Sequence, residues 1–319
     1  MNHLDHDITI QRRLANLLQS ALLLGGMAAL AGVLGWMLFG PEGVVWAGAA
    51  AAVAVAFAPS FSPRWVLQLT GAWEIATGQA PELYHLMGEI AARAGLERTP
   101  RLYYVPTRVL NAFAAGRRDD GAIALSDGLL RALDIREIAG VLAHEVAHLR
   151  ANDIWVMTLA DVVGRLTSIL SFVGQVLLVV MLPVAIFKGH EIPLLGFAVI
   201  ILAPLAAVAM QLALSRTREY DADVVAVELT GDPEGLARAL DKLEQIQGGW
   251  IERMFMAGGI PKWLRTHPPM KERIRRLLAL APASARPARY AFPPKLRGGL
   301  HELPVIAHRP RWHWNGLWY

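Results

Sequence analysis

The 319-residue chain contains no cysteine. Disulfides, thiolate metal sites and thiol nucleophiles are therefore excluded, and any metal ion must be held by His, Asp or Glu. Charge is scarce as well. Charged residues make up 18% of the chain and hydrophobic residues 54%, whereas a soluble globular chain carries about one quarter charged residues. No internal repeat and no glycine-rich phosphate loop is found. The net charge is +4. In a chain with long apolar runs, such an excess comes from loops on the inner side of a membrane, so no nucleic-acid partner is expected.

The missing charge is concentrated in four runs. Ala21–Phe39 is uncharged and long enough to cross a bilayer as a helix. The turn Gly40-Pro41-Glu42-Gly43 follows, then a second, Ala-rich run over Val44–Phe61. Trp36 and Trp46 flank the turn, where amphipathic rings favour the membrane interface. A secretory signal is the competing reading of the first run; its length and the immediate second run favour a membrane hairpin. Ile169–Phe187 and Ile192–Leu214 form the second pair, separated by Lys188–Glu191, with Pro204 as an expected kink. Arg12, Arg13, Arg64, Arg216 and Arg218 all flank the same side of the two hairpins. The positive-inside rule therefore predicts four spans with both soluble halves in the cytoplasm.

The soluble halves have their own pattern. Pro81–Gly95 reads as an amphipathic helix, and Arg101–Val105 as a strand bracketed by Pro100 and Pro106. Asn111–Gly116 and Ala122–Ser126 read as two strands joined by a polar turn. A small sheet is expected here, and an open edge of it can bind an extended peptide as one more strand. Ile154–Ser168 reads as an amphipathic helix carrying Asp161 and Arg165 one turn apart. Ser215–Leu229 looks helical, and Gly231-Asp232-Pro233 starts a further helix through Ile246. Met270–Leu280 is a basic, amphipathic helix, and residues 281–319 form a Pro-, Arg- and Trp-rich tail of irregular character.

The chemistry is concentrated in His144-Glu145-Val146-Ala147-His148, within the helical stretch Leu129–Arg150. Asp134 can cap this helix, with Glu137 as the reciprocal partner. Residues four apart share a helix face, so the two imidazoles can reach one metal ion, and Glu145 can reach the water that attacks substrate. Two histidines leave a catalytic zinc site one protein ligand short. The best candidate for a third is Glu219, in the stretch Ser215–Asp223. Glu219 and Asp223 lie one turn apart on one face; one can bind metal while the other accepts the N–H of a ligating imidazole.

Four motifs occur in order: Asn111-Ala112-Phe113-Ala114, the HEVAH helix, Ser215–Asp223, and Thr266-His267-Pro268-Pro269 with Arg273. Through them, over roughly residues 10–280, the chain resembles the HtpX-type membrane zinc endopeptidases, relatives of the CAAX prenyl endopeptidase. The resemblance implies one Zn2+ per chain, bound by His144, His148 and Glu219. It makes Glu145 the catalytic base and Asp223 the support of a zinc-bound histidine. His267 returns to the active site in such enzymes, where it or Arg273 can stabilise the oxyanion of the tetrahedral intermediate; otherwise His267 merely caps the following helix and Arg273 is solvated. Asn111 is implied as a substrate-backbone contact at the sheet edge. The resemblance also implies polypeptide substrates, chiefly damaged or misassembled membrane proteins. It further implies a stress-response role and a bacterial inner-membrane location with the catalytic domain cytoplasmic.

The expected fold is thus a mainly α membrane protein, with four transmembrane helices and a zincin-like α+β catalytic domain holding a small β-sheet. Its expected divisions are 1–62 (first hairpin), 63–153 and 215–280 (the two halves of the peptidase), 154–214 (second hairpin) and 281–319 (tail). Two rivals exist. An intramembrane protease would place the HEVAH helix in hydrocarbon, but Arg136, Glu137, Arg150 and Asp153 bracket it. A non-catalytic scaffold with structural zinc would need no base at Glu145 and would close its site with a fourth protein ligand.

Overall fold

The computed structural model describes residues 3–57, 67, 70–188, 194–248 and 270–280. In chain order the elements are α1 (His3–Phe57), β1 (Trp73–Glu74), α2 (Pro81–Ala94), β2 (Arg101–Val105), β3 (Ala112–Ala115) and β4 (Ala122–Ser126). They continue with α3 (Asp127–Ala132), α4 (Ile135–Ala151), α5 (Asp153–Phe187), α6 (Leu194–Thr230), α7 (Pro233–Leu243) and α8 (Met270–Ala279). The chain divides into two compact units. One joins Met1–Ser60 to Trp155–Thr217, the other Phe61–Ile154 to Arg218–Tyr319.

The first unit is helical and apolar. Three helical stretches among the described residues are long and apolar enough to cross a membrane: Leu14–Val53, Asp153–Val184 and Leu194–Thr230. In their described residues the four uncharged runs thus fall on three helices, because the first two belong to α1. That helix is interrupted at Gly40, whose φ of 65° and ψ of −155° lie in a region open essentially to glycine. A Cβ placed on Gly35 would sit 2.6 Å from the carbonyl oxygen of Gly43, so the backbones on either side of Gly40 come into direct contact. The expected short amphipathic helix over 154–168 and the third run are one continuous element, α5. Asp161 and Arg165 pair at 2.7 Å on its exposed face.

The second unit holds the sheet, in the order β1-β2-β4-β3. β2 and β4 are parallel, and the two outer pairings are antiparallel. β3 is therefore an edge. Its neighbour Asn111 accepts from the Ser126 N–H at 3.0 Å and donates its own N–H to Ser126 Oγ at 2.9 Å. By the alternation of antiparallel ladders, this pairing leaves the N–H and C=O of Ala112 and Ala114 facing away from β4.

Two residues separate the end of α3 from the start of α4, so the stretch expected as one helix from Leu129 is two. The reason is Asp134, which takes an extended backbone and forms a capping box. Its carboxylate accepts from Glu137 N–H at 2.9 Å, and Glu137 accepts from Asp134 N–H at 2.8 Å. Such a cap contributes about 1 kcal/mol. The middle of α4 is buried on nearly all sides. Ile138, Leu142 and Val146 are fully buried in a core shared with Leu83, Met87 and Ile90 of α2, Leu102 and Tyr104 of β2, Ile123 and Leu125 of β4, and Leu236 and Leu240 of α7. Each such side chain contributes roughly 1.5–3 kcal/mol by leaving water. Gly140 allows α7 to approach: a Cβ there would be 2.9 Å from the Leu236 backbone. Polar groups seal the same contact. Arg136 binds Asp232 through both carboxylate oxygens, and Lys242 binds Glu137 at 2.6 Å.

Candidate metal centre

Helix geometry alone puts His144 and His148 on one face of α4, where their rings meet edge to face with centroids 4.7 Å apart. Their Nε2 atoms are 3.2 Å apart. α6 passes beside this face and adds Glu219, with Oε2 3.5 Å from His144 Nε2 and Oε1 4.0 Å from His148 Nε2. A tetrahedral metal with arms of about 2.0–2.1 Å has ligand–ligand edges of about 3.3–3.4 Å. Two of the three separations come close to that size and the third, to His148, is longer; the ligand atoms all lie within 4.8 Å of one another. The set is two imidazoles and one carboxylate, all from residues that are buried or nearly so. It suits a borderline metal ion better than calcium or magnesium.

Each imidazole is held from behind. Asp223 Oδ1 lies 3.1 Å from His144 Nδ1, and Asp153 Oδ2 lies 2.7 Å from His148 Nδ1. A carboxylate at Nδ1 favours the tautomer with its proton there and leaves Nε2 free to bind metal. Behind each Asp stands an arginine. The Arg273 guanidinium grips both oxygens of Asp223, at 2.8 and 2.6 Å, and its third nitrogen is 2.8 Å from Glu219 Oε2. Arg218 pairs with Asp153 Oδ1. All four of these supporting residues are buried.

The charges answer to this packing. Burial pushes the His144 imidazole down, but its hydrogen bonds to Asp223 and Glu219 outweigh this and bring its pKa up to about 9. Burial works against the Asp223 carboxylate, yet the bonds from Arg273 and His144 hold it below the usual range. Arg273 keeps its proton more firmly than usual. Burial opposes this, but the bonds to Asp223 and the charges of Asp223, Glu219 and Glu145 prevail. Glu145 itself is buried, beside His144 on α4.

Of the residues singled out from the sequence, the structure therefore brings together His144, Glu145, His148, Glu219, Asp223 and Arg273. Arg273 is not solvated; it is buried and bound by the carboxylates of Asp223 and Glu219. Asn111 is exposed at the start of β3, and β3 packs against α4. His267 lies outside the described residues. Sequence reasoning missed Asp153 as a partner of His148 and read Arg218 only as a topology charge. The available signal was the short spacing from His148 to Asp153 and the adjacency of Arg218 to Glu219.

Comparison with known proteins agrees with the geometry. Residues 78–281 match the profile of Peptidase family M48. A protease HtpX homologue of Burkholderia ambifaria is 34% identical over 289 residues, covering 83% of this chain and 97% of the relative. Another, from Ralstonia nicotianae, is 35% identical over 297 residues, covering 86% and 99%. The crystal structure of S. mikatae Ste24p superposes with a TM-score of 0.50 at 21% identity, over 84% of this chain and 67% of that one. At that identity the likeness concerns the fold.

Proposed function

The chain belongs to Peptidase family M48 and is a metallopeptidase, and we propose that it is a membrane-embedded, zinc-dependent endopeptidase working at the cytoplasmic membrane face. The observation that carries this reading is the convergence of His144, His148 and Glu219 beside Glu145, with each imidazole backed by a carboxylate. A zinc ion held by those three residues would polarise the scissile carbonyl and acidify the attacking water. Glu145 takes the proton of that water and delivers it to the leaving amine. Asp223 fixes the orientation of His144, and Arg273 fixes Asp223 and Glu219. His267 steadies the negative charge that develops on oxygen.

Substrate would lie along β3 as an added antiparallel strand, bonded to the outward N–H and C=O groups of Ala112 and Ala114, with Asn111 at one end. That mode reads backbone more than side chains and suits an enzyme that clears damaged or misassembled membrane proteins. Four spans fit the reversal of chain at Gly40 and the arginines flanking each hairpin. On this reading residues 63–153 and 215–280 are two halves of one peptidase domain on the cytoplasmic side of the bacterial inner membrane. The test is cleavage of casein by the purified, detergent-solubilised chain. Activity should disappear with a chelator, return with Zn2+, and be lost in Glu145→Gln while metal is retained. Chelator-resistant cleavage would overturn the proposal.

A further inference from the structure

We propose that Asp153 and Arg218 are positioning residues that hold His148 in its metal-binding tautomer, the one with its proton on Nδ1. The inference rests on the reading that His144, His148 and Glu219 bind the metal. It deepens that reading by assigning roles to Asp153 and Arg218.

Asp153 reaches His148 through a local device. α4 ends at Asn152, the one non-glycine residue with a positive φ among the described residues (φ 53°, ψ 35°). A left-handed residue costs roughly 1–2 kcal/mol outside glycine, and Asn tolerates it best. The turn it makes starts α5 at once and directs the Asp153 side chain back under the last turn of α4. There its Oδ2 is 2.7 Å from His148 Nδ1. Asp153 is 4% exposed, so its carboxylate needs a counter-charge. Arg218, 6% exposed, supplies it. Its guanidinium pairs with Asp153 Oδ1 and also reaches the carbonyl of Ala151 at 3.4 Å, at the negative end of α4.

The direction of the bonds gives the function. A carboxylate oxygen accepts, so in the contact with Asp153 Oδ2 the imidazole of His148 donates from Nδ1. Nε2 is then unprotonated and faces His144 Nε2 and Glu219. Arg218 holds Asp153 in place through Oδ1, so it acts on His148 only through Asp153. Arg218 and Glu219 are neighbours on α6. The same turn of helix therefore delivers a metal-binding carboxylate and the support of a metal-binding imidazole. His144, Asp223 and Arg273 repeat the arrangement on the other side of the centre.

The test uses the full-length chain purified in detergent, with Zn2+ affinity measured by competition against a chromogenic chelator and the visible spectrum recorded with Co2+. Asp153→Asn keeps the size of the side chain but offers Nδ1 a mixed donor and acceptor. It should weaken Zn2+ binding about 10–100-fold and shift the Co2+ bands, with a smaller effect on melting of the chelated protein than on metal affinity. Asp153→Glu should recover part of the loss. Arg218→Gln should weaken binding on its own, yet add nothing in an Asp153→Asn background, because it acts through that residue. Unchanged affinity and Co2+ spectrum in Asp153→Asn, or additive losses in the double variant, would overturn the inference. If the variants fail to fold, histidine-selective 15N NMR of the wild-type zinc form decides it: a proton on His148 Nδ1 supports the proposal, and one on Nε2 refutes it. A wild-type chain that binds neither Zn2+ nor Co2+, or Glu219→Ala binding as tightly as wild type, would instead refute the metal-site reading on which this rests.

Discussion

Arg273 Nη1 lies 2.8 Å from Glu219 Oε2, while the rest of its guanidinium grips Asp223. A residue of α8, fifty-four positions from Glu219 in the chain, thus neutralises two buried carboxylates of α6. Replacing it with an uncharged chain of similar length removes the guanidinium from both. Arg273→Met should cost about 3–5 kcal/mol in the chelated protein, the usual penalty for stranding a buried charge. Zn2+ should restore part of that, since the metal supplies positive charge to Glu219. Chemical unfolding with and without Zn2+ measures both quantities; an unaltered midpoint in chelator would mean that the guanidinium is not holding the site.

Chemistry and metal binding should separate cleanly. Glu145→Gln keeps size and a hydrogen-bonding carbonyl but cannot take the water proton. Near-stoichiometric zinc is expected, with proteolysis lower by orders of magnitude. Glu219→Ala removes a metal-binding oxygen and should lose zinc and activity together. Asp223→Ala should fall between them, at about 10–100-fold in affinity or activity. Metal content by mass spectrometry and cleavage rate on the same preparations distinguish these outcomes. Wild-type cleavage by Glu145→Gln would remove Glu145 from the mechanism.

Metal uptake should release protons. In the metal-free site His144 has its pKa raised to about 9, so it is charged at neutral pH, and a metal must displace that proton. Apparent Zn2+ affinity should rise with pH between 7 and 9, approaching about tenfold per unit, and flatten above that range. The sign follows from the raised pKa: the proton competes below 9 and has gone above it. Calorimetric titration in buffers of differing ionisation heat counts the protons. Affinity independent of pH over this interval would contradict a charged His144.

Topology has a direct test. Reporter fusions at Glu42 and Lys188 should lie on the far side of the membrane, and fusions at Gly95 and Gly248 on the cytoplasmic side. A cytoplasmic signal at Glu42 would mean that α1 does not turn back at Gly40 on the far side of the membrane, and the four-span reading would fail.

The parts of this protein that were legible in its sequence are those set by local geometry. Two histidines four apart on a capped helix must share a face, whatever surrounds them. Asp134 with Glu137 marks the start of that helix through bonds closed within three residues. Pro100 and Pro106 bracket β2, and the uncharged runs announce their environment by composition. The arrangement around the histidines was decided by tertiary structure. Asp153 contacts His148 because Asn152 turns the chain through a left-handed conformation, and nothing in the spacing alone announces that turn. Arg218 reads as one more basic residue after an apolar run until α6 packs against the end of α4 and buries it on Asp153. Arg273 and Asp223 are fifty residues apart, and only the docking of α8 makes them partners. Helical periodicity acts over a few residues, so the sequence by itself determined which groups could meet a metal. The orientation of those groups depends on hydrogen bonds between distant segments, whose pairing is chosen by the packing of the whole core.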